Sequence, residues 1–298
     1  MVLRSMKKAK WLKMAKIVET IDEVFYNKDL IKEYSIDDCI KITFDIYNYV
    51  QEKYPDTVKK LLMFSGGNDS LVLLDVLKDH IDAVVHINTG IGIEKTRMFV
   101  RQTCKNYGLD LIEKMPDKEN SYVELIQKYG FPGPGQHRMM YARLKERQIR
   151  SVNKMFVSKN RTDRVQYFTG VRADESSRRW KTSDEVHREG SFVWVSPLIH
   201  WSNENMAKYK KEKNLPLNEV SVNLHMSGEC LCGAYAKKHE LEQIRFFYPE
   251  DAKYIESLQE LVKDCNVKYK KWGWREDHRR IKSKTGILCA SCDFNYES

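Results

Sequence analysis

No stretch of this 298-residue chain approaches the ~18 consecutive apolar residues of a membrane helix, so a spanning role is not expected. The basic opening, Met1 to Lys16, is broken by charge too often to hold the apolar core of a secretory signal. Cysteine is scarce. Seven unevenly spaced cysteines in a chain of this size fit metal ligation in a reducing compartment better than a disulfide framework, and the cytoplasm is the expected location. A Walker loop is missing too, since nowhere does Gly-x-x-x-x-Gly-Lys-Ser/Thr occur. Acidic residues are outnumbered: Lys+Arg 51 against Asp+Glu 42 gives +9, which favours polyanionic ligands such as nucleotides or nucleic acid.

The most informative stretch present is Ser65-Gly66-Gly67-Asn68-Asp69-Ser70. It follows the apolar run Leu61 to Phe64 and leads into Leu71 to Leu77, which reads as a buried strand, a tight glycine turn and a helix. Two glycines let the backbone approach a ligand and turn N–H groups inward. The helix start adds partial positive charge, and hydroxyls at both ends add donors. The pattern predicts a phosphate cradle.

From Leu61 the chain alternates strand and helix: strands at Ala83 to Thr89, Leu109 to Met115 and Val165 to Gly170, helices at Glu94 to Tyr107 and Ser121 to Tyr129. In the first of these helices Met98, Phe99 and Val100 are expected inside. Such repetition demands an α/β fold, a doubly wound parallel sheet with ligands at the carboxyl ends of its strands. Residues 1–58 read as an N-terminal helical cap, 59–222 as the nucleotide-binding domain and 223–298 as a C-terminal region bearing cysteines. The other strand ends are polar: Asn88-Thr89-Gly90 can contact an adenosine, and after Gly170-Val171 the guanidiniums of Arg172 and Arg178 can fork onto phosphate or sulfate oxygens, while Glu175 can orient an arginine or bind a ribose hydroxyl.

These three motifs, in this order and at these strand ends, resemble the PAPS-reductase superfamily of the adenine-nucleotide α-hydrolase group. The match runs through Ser65–Ser70, His86 to Ile91 with Thr96 and Phe99-Val100, and Gly170 to Ser176 with Arg178. The resemblance implies binding of ATP or an adenylyl sulfate. The loop itself resembles the PP-loop of ATP pyrophosphatases, which split ATP between its α and β phosphates.

Cys230-Leu231-Cys232 and Cys289-Ala290-Ser291-Cys292 together supply four thiolates, enough for zinc or a [4Fe–4S] cluster; spacing alone does not choose. Members of the resembled family with such an arrangement hold an iron–sulfur cluster near the nucleotide. Cys39, Cys104 and Cys265 are expected as small buried hydrophobes in helices. Sulfonucleotide reductases carry a Glu-Cys-Gly-Leu-His tail, whereas this sequence ends Asp293 to Ser298. With an intact loop and a cysteine quartet, the chain looks more like the DndC-type proteins of DNA phosphorothioation.

The resemblance therefore implies an ATP pyrophosphatase that adenylates an acceptor for sulfur transfer. Ser65, Gly66, Gly67 and Ser70 would hold the phosphates, Asp69 would position Mg²⁺ or the loop, and Arg172 would contact a phosphate oxygen. A cluster would present sulfur to the acceptor, with a nucleic acid as the expected acceptor and a sulfur donor or modification complex as partner proteins. Two alternatives stand: a sulfonucleotide reductase, and a zinc-stabilised nucleotide-binding subunit without activity. Basic surfaces stay open between polyanion contact and solvated face: the Lys7–Lys16 run, His137-Arg138, Arg143, Arg147 and Arg150 on one helical face, and Lys268 to Arg280 with Trp272 and Trp274. Phe131-Pro132-Gly133-Pro134-Gly135 reads as a mobile loop able to act as a lid.

Overall fold

A computed structural model describes residues 31–159, 162–176, 179 and 183–273. Helix α1, Ile36–Lys53, starts at a capping box in which Asp38 N–H donates to Ser35 Oγ and Ser35 N–H to Asp38 Oδ2. It leads into β1, Thr57–Met63, and β1 into α2, Asn68–Leu77. Then come β2, Ala83–Ile87, α3, Glu94–Asn106, β3, Leu111–Lys114, and α4, Tyr122–Tyr129. A longer helical stretch follows: α5, His137–Tyr141, a π-helical turn Ala142–Glu146, and α6, Arg147–Phe156. After β4, Arg164–Phe168, the chain forms the hairpin strands β5, Val186–Glu189, and β6, Phe192–Val195. It continues through α7, Asn203–Glu212, α8, Glu219–Leu224, α9, Glu240–Phe247, and α10, Pro249–Leu261.

The six strands lie in the order β3-β2-β1-β4-β6-β5. All pairings are parallel except β5 against β6. The expected parallel α/β sheet is present, with an antiparallel edge hairpin that the sequence reading passed over. That hairpin is short, and its β5 residues are exposed apart from half-buried Val186, so it carries little of the apolar signal that betrays a central strand.

Side chains alternate across the sheet as a period of two requires. Leu62, Phe64, Val84 and Phe168 face one layer with Leu71, Val72, Leu74, Val100 and Tyr209 from α2, α3 and α7. Leu61, Met63, Val85, Ile87, Val165 and Tyr167 face the other, against Ile149 and Val152 of α6. Each fully buried aliphatic residue contributes about 1.5–3 kcal/mol, so both faces are strongly held. The winding is double, as expected. A third core joins Tyr122, Leu125, Phe131 and Leu144 to Val220, Leu231, Ile255 and Trp272, on both sides of the expected boundary at 222/223.

Some local expectations need correction. Met98 is 57 % exposed while Val100 is fully buried, because on a helix adjacent to the sheet only one stripe turns inward. Cys39 and Cys104 are buried in α1 and α3, but Cys265 is half-buried and lies beyond the end of α10. Phe131 to Gly133 is no mobile lid: all three residues are buried, and Phe131 N–H donates to Tyr269 O at 2.9 Å. Residues 1–30, including the Lys7–Lys16 run, lie outside the described residues. Among the described residues, no helix is long and apolar enough to cross a membrane.

Candidate active site

The strand order reverses between β1 and β4, so the chain leaves their carboxyl ends in opposite directions and opens a crevice there. A cavity of about 700 Å³ occupies this crevice. Its first wall is the turn between β1 and α2. Gly66 takes φ +78°, a left-handed value that a side chain would strain, and this bends the chain sharply. Gly67 then precedes α2, and no side chain caps that helix. Ser65 Oγ lies 3.2 Å from Ser70 Oγ, and Ser70 Oγ donates to Gly67 O at 3.0 Å. Ser65, Gly67, Asn68, Asp69 and Ser70 all line the cavity. A helix start without a cap, two hydroxyls and partial positive charge suit an anion.

The second wall follows β4. Gly170 packs so closely on the first wall that a Cβ there would sit 2.9 Å from backbone atoms of Asp69 and Ser70. Arg172, only 5 % exposed, has Nε 3.1 Å from Asp69 Oδ1, Nη1 donating to Trp201 O and Nη2 donating to Asn203 Oδ1. Its guanidinium therefore braces the loop's aspartate against the start of α7. Glu175 lines the same wall, with its carboxylate 3.7 Å from Arg179 Nε. Arg178, expected here, lies outside the described residues.

The third wall was not expected. Lys145, Asn203, Ser221 and the segment His225 to Ser227 with Glu229 close the cavity from the side of α6, α7 and α8. Lys145 Nζ lies 3.1 Å from Glu229 Oε2, with the two side chains 9 % and 11 % exposed. Lys145 lies on the π-helical turn, two residues after Arg143 and so on a different side of the helix. Arg143 and Arg147, expected on one helical face, do come together. Arg143 and Arg147 both donate to Asn120 Oδ1, at 2.8 and 2.7 Å, whereas Arg150 reaches Glu189. Of the pair His137-Arg138, His137 is buried against Tyr235, and Arg138, half exposed, pairs with Glu146 at 2.8 Å. Behind the walls sits Lys210 of α7, whose ammonium is pushed down by burial; Asp69 opposes that shift and Arg172 adds to it.

Asn88, Thr89 and Gly90 adjoin the cavity rather than line it. Asn88 Nδ2 donates to Glu113 Oε1 at 2.8 Å, and Thr89 Oγ1 donates to Glu229 O at 3.0 Å. Glu113 is gripped at both oxygens by Arg101, at 2.8 Å each, and this together with Asn88 holds its carboxyl down to about 2 from 4.5. The loop carrying the first cysteine pair is laced to this region: Ile93 N–H donates to Gly228 O, Leu231 N–H to Ile91 O, and Tyr122 OH to Cys232 O. Cys230 thus directly follows a cavity-lining residue. Cys289 and Cys292 lie outside the described residues, as does Trp274. Among the described residues no group of three or more His, Cys, Asp or Glu could hold a metal. Trp272 is a core residue, 7 % exposed, with Nε1–H donating to Leu231 O.

A parallel α/β domain with a glycine loop and a cavity at its switch point belongs to the class of nucleotide-binding folds. Residues 59–225 match the phosphoadenosine phosphosulfate reductase domain, more than half of the chain, and the chain belongs to that family. It is 26% identical over 216 residues to an adenosine 5'-phosphosulfate reductase of Staphylococcus epidermidis, covering 70% of this chain and 82% of the relative. It is also 26% identical over 238 residues to an uncharacterized protein of Methanocaldococcus jannaschii, covering 76% of this chain and 54% of that protein. The crystal structure of phosphoadenylyl-sulfate reductase from Candida auris, a phosphate complex, aligns with a TM-score of 0.44 and 18% identity over 62% of this chain and 88% of that one.

Proposed function

We propose that this chain is an ATP pyrophosphatase that adenylates an acceptor for sulfur transfer, the acceptor being a nucleic acid. The observation that carries this reading is the intact Ser65–Ser70 loop, which places two hydroxyls and an uncapped helix start on one cavity wall. An acceptor nucleophile attacks the α-phosphorus, the bond from that phosphorus to the bridging oxygen breaks, and pyrophosphate departs with the electron pair. Gly67 N–H, Ser65 and Ser70 donate to the phosphates as charge builds on the leaving group. Asp69 would hold a Mg²⁺, which would supply positive charge for the leaving group, and Arg172 keeps that carboxylate in place. Asn88, Thr89, Gly90 and Glu175 border the adenosine side, with Gly170 allowing the two walls to meet and Arg178 adding charge.

Cys230 and Cys232, with Cys289 and Cys292, would hold a [4Fe–4S] cluster or a zinc ion, since thiolate donors suit either. A cluster would supply the sulfur chemistry beside the cavity. A second reading is favoured by the relatives named as adenosine 5'-phosphosulfate reductases: the same cavity would then take an adenylyl sulfate. Incubation of anaerobically purified protein with ATP and with adenylyl sulfate separates the two. AMP and pyrophosphate from ATP support the lead, whereas sulfite from the adenylyl sulfate supports the reductase. Metal analysis with a visible spectrum distinguishes cluster from zinc.

A further inference from the structure

Asn218, the cap of α8, is 3 % exposed and its side chain makes contacts in four directions. Its Oδ1 accepts from Val220 N–H at 3.1 Å, which caps α8. Its Nδ2 donates to Gly66 O at 2.9 Å and also lies 3.2 Å from Thr96 Oγ1 and 3.4 Å from Ser227 O. The bond to Gly66 O reaches across 152 residues to the peptide that links the two loop glycines.

A trans peptide points its C=O and its N–H in opposite directions. With Gly66 O drawn toward Asn218, the N–H of Gly67 must face away, and it does: it lies 3.3 Å from Ser65 Oγ, a group on the cavity wall. Were that peptide reversed, a carbonyl oxygen would face the ligand and repel an anion. Reversal is within reach, because Gly66 at φ +78° is flanked by Gly67 and glycine admits several backbone states.

We infer that Asn218 is a positioning residue for anion recognition: by holding Gly66 O it aims the Gly67 N–H at a phosphate group of the ligand. The inference rests on the reading that the Ser65–Ser70 loop holds the nucleotide's phosphates. Asn218 itself does not line the cavity.

Two variants and one measurement on the unaltered protein test it. Asn218→Ser keeps a capping oxygen for α8 but cannot reach Gly66 O. Asn218→Asp keeps the size and offers a lone pair where a donor is needed. Calorimetric titration with α,β-methylene ATP and with adenosine should show analogue affinity falling on the order of tenfold to a hundredfold, as for loss of a charge-assisted hydrogen bond. Adenosine affinity should stay within about twofold, near the scatter of a remote change. Equal loss for both ligands, or none, overturns the inference. In the unaltered protein the Gly67 amide proton should shift downfield when the analogue binds; an unmoved resonance overturns it too, even where a variant fails to fold. Unaltered protein that binds adenosine but gains nothing from the analogue's phosphates overturns the loop's assignment as the phosphate site. Binding of the analogue with indifferent variants overturns only the role of Asn218.

Discussion

The cavity has two kinds of wall. The loop after β1 and the turn after β4 are built from contiguous residues whose types announce their geometry: glycines, hydroxyls and a carboxylate between a strand and a helix. The opposite wall, from Lys145 and Ser221 to Glu229, is assembled by packing of α6, α7 and α8, with no contiguous pattern. Backbone conformation shapes the first wall, which Asn218 and Arg172 then tie down, whereas the second is brought together by long-range contacts such as Lys145–Glu229. A ligand site read from local patterns is therefore read as half a site, and the missing half here carries a buried cation.

That contrast breaks most sharply at Lys145. Replacing it by Met leaves Glu229 as a buried carboxylate without its cation, which costs about 3–5 kcal/mol when one partner of a buried pair is removed. The double variant Lys145→Met, Glu229→Met should recover most of that loss, since neither charge then lacks a partner. Urea unfolding of the three proteins checks this. A single variant as stable as the parent would show that the pair is solvated and the second wall loosely held.

Gly170→Ala strikes the junction of the two better-defined walls. The added Cβ meets backbone at 2.9 Å on the first wall, where no side chain can yield. Overpacking of this kind costs about 3 kcal/mol at its upper end, and it displaces the Asp69–Ser70 segment. Thermal denaturation and nucleotide titration should both register the change. A variant with unaltered binding would mean that the loop tolerates movement and that its position is not set by β4.

Much of the fold was legible because β1, β2 and β4 are apolar runs and α2 and α3 follow them at once. The loop was legible for the same local reason. Arg172 was read as a phosphate ligand from its chemistry, but its partners lie far off in sequence, Asp69 on α2 and Trp201 with Asn203 at the start of α7, so the bracing geometry had no sequence signal. Lys145 is off the face set by Arg143 and Arg147, and its partner Glu229 is 84 residues away, so nothing local marked it. The edge hairpin and the buried Phe131 segment were missed because glycine and proline near the latter suggested freedom that Tyr269 removes.

Arg172→Lys sharpens the comparison within the first two walls. An ammonium cannot reach Asp69, Trp201 and Asn203 together, so at least one charge-assisted bond is lost, about 2 kcal/mol of stability. Nucleotide affinity should fall with it, since Asp69 loses its brace. Calorimetry alongside chemical denaturation checks both. Full ligand-free stability with weakened binding would instead make Arg172 a direct ligand contact.

The smallest effect lies at Glu113 on the edge strand β3, where Asn88 and Arg101 converge. Arg101 chiefly, with Asn88 assisting, holds the Glu113 carboxyl at about 2 against its ordinary 4.5. A lowered folded-state value means that the stabilisation is complete above about 4.5 and is lost as pH falls through 2. At pH 7 Glu113→Gln should therefore be less stable than the parent, by about 1 kcal/mol given its partial exposure. That gap should narrow as the pH drops below 4.5 and close near 2. Urea midpoints of both proteins along a pH series give the test. A gap that stays constant down to the lowest pH would mean that the carboxylate's charge is irrelevant and that only the shape of the side chain holds Asn88 in place.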